Sequence, residues 1–124
     1  MELKLILKEV VAQHEKWVAS DGKEGSRLIL QNAQLQEADL HDRNLQDADL
    51  PGAKLSVADL MRANLRRANL RDADFWMADM KETNLQGADL QGANLSDVTN
   101  LTQKQVDAAI TNERTVLPAG LRRT

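Results

Sequence analysis

From Leu35 to Leu95 a large apolar residue recurs at every fifth position, leucine throughout except for Phe75 and Met80. Two positions before each of these thirteen residues lies alanine in eleven cases, Arg43 and Thr83 being the exceptions. The position between them is Asp or Asn in eleven, with Gln34 and Lys54 departing. A period of five matches neither the 3.6 of a helix nor the 2 of a strand. An α-helix would smear the leucines around its surface, and a flat strand would alternate them between faces. The chain must therefore turn once per unit, sending one large and one small apolar side chain inward and three residues outward. Leu28, Ile29 and Leu30 form a degenerate opening unit.

The flanks follow other patterns. Leu3, Leu7, Val10, His14, Trp17 and Val18 share one face of a helix predicted over residues 2–19, and Asp21-Gly22 closes it. Thr102 and Gln105 have the spacing of a capping box, which predicts a short helix with Val106, Ala109 and Ile110 facing the repeats. Thr115 to Pro118 is expected to run extended across the last repeats. A stack of turning units exposes unpaired backbone at both ends, and both flanks are expected to cover it.

Tandem A-(D/N)-L-x-x units over residues 30–97 closely resemble those of the pentapeptide-repeat family. The resemblance implies a right-handed, four-sided β-helix with four units per coil, so that residues twenty apart stack. Thirteen units then make a little over three coils, roughly 16 Å tall at a strand spacing of about 4.8 Å. The expected class is a mainly β solenoid of about 3–4 coils, with a helix at either end. The expected organisation is an N-terminal helical cap over 1–27, repeats over 28–100, and a C-terminal helix and tail over 101–124, all in one structural domain.

Stacking by twenties turns the sequence into a surface map. Asn44, Asn64 and Asn84 align as a candidate amide ladder. Asp39, Asp59 and Asp79 align as an acidic row, whose mutual repulsion local backbone N–H bonds can offset. A calcium site would need more oxygens than this row supplies. Arg62, Arg66, Arg67 and Arg71 look like a basic cluster in line, but on a coil they spread over three faces. There Asp42, Arg62 and Glu82 alternate in sign, and Asp47 meets Arg67. Val57, Trp76 and Met77 fall together on one face with Met61 nearby on the next, a candidate partner-binding patch in a chain only 2% aromatic. The competing reading lays Trp76 flat over Val57 as a cover. Arg43, at an inward position of the first coil, can escape toward the N-terminal flank. His14 and Trp17 are expected to pack against that coil.

Charge narrows the function. Residues 1–29 are neutral, residues 30–100 carry −5, and residues 101–124 carry +2. Such a rod disfavours direct binding to nucleic acid. The chain has no cysteine, which excludes disulfides and thiolate chemistry. No nucleophile–base pair, histidine cluster or phosphate-binding glycine loop points to catalysis, and no metal or cofactor is expected. No stretch is apolar enough to span a membrane, and residues 1–20 lack the core of a signal peptide, so a cytoplasmic protein is expected. The function best matched is a rigid interaction module for an unidentified protein partner. The alternative, implied by the resemblance, is a DNA mimic acting on a type II topoisomerase such as gyrase. It would call for a homodimer through a C-terminal face of Val106, Ile110 and Leu117.

Overall fold

The computed structural model describes residues 3–123, with side chains from residue 6 onward. Each unit contributes one rung, a single Asx-position residue bridged in parallel to the residues one coil below and above. Rungs run every five residues from Ile29 to Thr99, and each pairs with the rung twenty residues on until the last coil. The register repeats: Asp49 N–H donates to Leu28 O at 2.9 Å, while its own carbonyl accepts from Leu30 N–H at 2.9 Å. This is a β-helix with four rungs per coil.

Three local features make the sequence turn. After each inward leucine a β-turn closes, as in Ala38 N–H to Leu35 O at 3.1 Å. The second corner residue is left-handed at every turn between consecutive rungs, whether Asn32, Glu37, Asp42 or Gly52. That is the geometry of a type II turn, and Pro51-Gly52 is its preferred sequence. The Asp or Asn of a rung then accepts the N–H two residues on, for instance Met61 N–H to Asp59 at 3.0 Å and Arg66 N–H to Asn64 at 3.0 Å; Asp49, followed by Pro51, is the exception. One short polar side chain thus satisfies the corner backbone, which explains why Asp and Asn interchange there.

The inward residues stack into one core of leucines and alanines, with Phe75 and Met80 fully buried at leucine positions. Thr83 occupies an alanine position without penalty, because its hydroxyl donates to Leu60 O at 2.6 Å. Thr115 does the same toward Leu90 O at 2.9 Å. A buried hydroxyl with a partner avoids the desolvation cost of an orphan one.

The rod does not stop at residue 100. Ile110 bridges Asp89 and Val116 bridges Asn94, so two sides of a further coil are built from residues 101–124. These sides therefore have five levels and stand about 19 Å tall, taller than thirteen units alone allow. The helix α2, Gln103–Ala108, is inserted between Thr99 and Ile110 with Thr102 and Gln105 in a capping box. The Gln105 amide donates to Met80 O and Thr83 O, at 2.8 and 2.9 Å, where no rung follows. Val106 is buried and Ala109 packs on the core, but Ile110 faces out, because it is a rung and not a helical residue.

At the other end α1, Leu3–Ala19, lies against the first coil. Its buried stripe is Val11 and His14 with Leu7 beside them; Val10 is turned to solvent. The helical face expected to include Val10 is thus rotated by one residue, and the side chain of Leu3 lies outside the described ones. Left-handed Asp21 and Gly22 end the helix, with Gly22 N–H on Trp17 O at 2.8 Å. His14 joins helix to coil: Nδ1 accepts Leu28 N–H at 2.8 Å, and Nε2 lies 2.8 Å from Gln46 O as the donor. Burial lowers its pKa, consistent with a neutral ring. The Arg43 guanidinium leaves the core side and pairs with Glu15 on α1, which also accepts Asn44 N–H at 2.9 Å. That pairing holds the Glu15 carboxyl below its usual range. Among the described residues no helix is long and apolar enough to cross a membrane.

Candidate interaction face

The corners of the rod differ in chemistry. Along three of them, acids and arginines interleave. Arg62 forms a two-pronged pair with Asp42 at 2.7 and 2.9 Å, and Arg67 pairs with Asp47 at 3.0 and 3.2 Å, each across one coil. Arg71 meets Asp89, and Arg114 reaches back two coils to Asp72 at 3.1 Å. The Asp42 and Asp47 carboxyls are held below the usual range, chiefly by these guanidinium hydrogen bonds. The four arginines that look clustered in line are therefore dispersed, and Arg66 contacts Gln86.

The fourth corner carries Glu37, Val57, Met77 and Asp97 one above another, preceded by Gln36, Ser56, Trp76 and Ser96. Val57 is 46% exposed, Trp76 44% and Met77 46%. Val57 N–H donates to Trp76 O at 2.8 Å, so the coils carrying them are hydrogen-bonded neighbours. The Trp76 indole N–H donates to Asp97 at 3.2 Å, which ties the ring to the coil above. Met61 does not join them. It sits half-buried at the next corner, where Arg62 donates to its sulfur at 3.1 Å.

Backbone conformation marks this corner too. Val57 has φ of 60° and Met77 of 59°. Among the described residues Val57 is the one β-branched residue with a positive φ, the type for which the left-handed region is most strained. Asn, Asp or Gly would fit at lower cost, and the other corners use them freely. Nothing in the sequence pattern signals this strain, because the outward positions of the repeat accept any residue type.

Beside the corner runs the row Asp39, Asp59, Asp79, bridged in register. His41 Nδ1 contacts Asp39 and lies 3.6 Å from Asp59; with these two carboxylates it forms a trio whose ligand atoms lie within 4.8 Å of one another. The histidine is the donor that a search for oxygen ligands alone misses. Asp79 accepts the Asn100 amide at 3.0 Å. The ladder expected of Asn44, Asn64 and Asn84 is replaced: the Asn64 amide donates to Gln46 instead, at 3.3 Å. Side-chain rungs form where Asn stacks on Asp, at Asn69 over Asp49 (2.9 Å) and Asn94 over Asp74 (3.3 Å). A carboxylate is the better acceptor for an amide whose own oxygen is already engaged in its turn.

Of the three residues proposed for a C-terminal contact, Val106 is buried and Leu117 packs on the core, so both are used within the chain. Ile110 is exposed, as is Val116 on the adjacent side.

The family model for pentapeptide repeats matches residues 26–56 and 58–97, in eight copies. A pentapeptide repeat protein from the cyanobacterium Cyanothece 51142 is 34% identical over 73% of this chain and 61% of its own, with a TM-score of 0.66. One from the thylakoid lumen of Arabidopsis thaliana is 30% identical over 70% and 59%, with a TM-score of 0.64. The chain thus spans about three fifths of the length of each. No curated protein matches its sequence. The repeat, its rung spacing and these likenesses agree: the chain belongs to the pentapeptide-repeat family.

Proposed function

We propose that the protein is a non-catalytic, rigid interaction module whose corner of Val57, Trp76 and Met77 docks a protein partner. The single observation behind this reading is Val57. A β-branched residue is kept in a left-handed conformation on an exposed corner, where polar residues serve elsewhere at lower cost. Backbone strain of this kind tends to collect at functional sites. The neighbouring Trp76 and Met77 add residue types enriched at interfaces. An interior filled with Leu and Ala supports a non-catalytic role. In this reading α1 and α2 serve as caps, keeping the ends of the β-helix from pairing with other chains. A topoisomerase-directed DNA mimic has less support, because Asp42, Asp47, Asp72 and Asp89 are each paired with an arginine.

The test compares proteins recovered by the wild-type chain and by a Trp76→Ser, Met77→Ser variant. A docking corner predicts that the partner is lost from the variant. Recovery of the same proteins by both removes the corner as the interface.

A further inference from the structure

Val57, Trp76 and Met77 lie at the edge of an acidic surface of the rod. The corner column and the adjacent rung column together carry Glu37, Asp97, Asp39, Asp59 and Asp79, with no lysine or arginine. None of these five carboxylates pairs with a lysine or arginine among the described residues, whereas Asp42, Asp47, Asp72 and Asp89 all do. Lys54, Arg62 and Lys81 lie on neighbouring sides, and Arg62 is taken by Asp42.

The row is also held in place. Asp59 and Asp79 each bind the N–H two residues on with one oxygen, at 3.0 and 3.1 Å. The Asp59 carboxylate presents its second oxygen toward His41. Stacked coils set the carboxylates about 4.8 Å apart along the axis. The exposed apolar corner begins two residues away, about 7 Å along an extended chain. An apolar ridge beside a parallel row of fixed negative charge is complementary to one chemistry: a segment with apolar side chains on one edge and lysine or arginine on the next.

We infer that the partner docked by this corner is a basic, amphipathic peptide segment, its apolar residues on Val57, Trp76 and Met77 and its cations along Asp39, Asp59 and Asp79. The inference rests on the docking role proposed above and adds the partner's charge.

The test uses the full chain in calorimetric titration with a twelve-residue peptide of alternating leucine and lysine, and with its leucine–glutamate counterpart. Two variants accompany the wild type: Asp39→Asn, Asp59→Asn, Asp79→Asn, and Val57→Asn, Met77→Ser. Asparagine preserves the turn, since Asn44, Asn64 and Asn84 occupy the same place in their units and each accepts the N–H two residues on. The lysine peptide is expected to bind the wild type at least about tenfold more tightly than the glutamate peptide, and to weaken about tenfold in each variant. Raising salt should weaken it in the wild type more than in the asparagine variant. Lack of binding to the wild type, or equal binding by wild type and asparagine variant, overturns the inference. So does loss in the asparagine variant alone, which would mean charge attraction without the corner. If proteins recovered by the wild type are lost with Trp76→Ser, Met77→Ser but kept with the asparagine variant, the docking role stands and the basic partner falls.

Discussion

Two kinds of corner are built on one backbone. Along the corner of Asp42, Arg62 and Glu82 the residues alternate in sign, and Arg62 clasps Asp42 across the coil gap. Along the corner of Glu37, Val57, Met77 and Asp97 the middle is apolar and the ends are acidic, with no cation between. Both corners share the same turn, the same left-handed residue and the same rung hydrogen bonds. Their difference therefore comes from side chains alone. The first corner is what a solvated solenoid needs. The second retains strain and exposed apolar area that the turn does not require.

The largest expected effect abolishes the comparison, because both corners hang on one core. Phe75 is fully buried at a leucine position of that core, and Phe75→Ala should cost about 3–5 kcal/mol. Urea unfolding should show this as one cooperative loss, with no part of the rod surviving separately.

A smaller effect acts at the end of the rod. His14 is buried and its Nδ1 is occupied by Leu28 N–H, so the folded state resists protonation. Below about pH 6.5 the unfolded chain binds a proton that the folded chain refuses. Stability should therefore be full above that pH and fall as pH drops through it toward the lowered folded value. Urea midpoints at pH 7.5 and 5.5 check this. His14→Gln should be less stable at both and show a smaller difference between them.

Exchanging the corner residues sharpens the comparison. Val57→Asn should stabilise the chain by about 1 kcal/mol, by relieving the left-handed strain. The reciprocal Glu82→Val puts a β-branched residue at a φ of 58° and should cost about 1 kcal/mol. Thermal unfolding measures both. The smallest effect is on the paired corner: Arg62→Gln should leave the unfolding midpoint almost unchanged, since exposed ion pairs contribute little. Equal and large losses from Arg62→Gln and Glu82→Val would erase the distinction between corners.

The repeat was open to reading because period five is incompatible with helix and strand alike, and because residues twenty apart must stack. That logic correctly dispersed Arg62, Arg66, Arg67 and Arg71, and it gathered Val57, Trp76 and Met77. It failed where the spacing changes. Ile110 and Val116 follow Thr99 by eleven and seventeen residues, so no pattern of fives reveals them as rungs. It failed also where one side chain has two choices. The Asn64 amide went to Gln46. The strain at Val57 was invisible, because conformation is imposed by the turn and not by the residue occupying it. Nor does the pattern of fives mark His41, whose ring the turn carries back to Asp39.

The most direct test is partner capture by Val57→Asn, a variant expected to be more stable than the wild type. A chain with a docking corner should capture less of its partner from the same extract, despite the gain in stability. Capture of the same proteins in the same amounts would contradict a docking role for this corner.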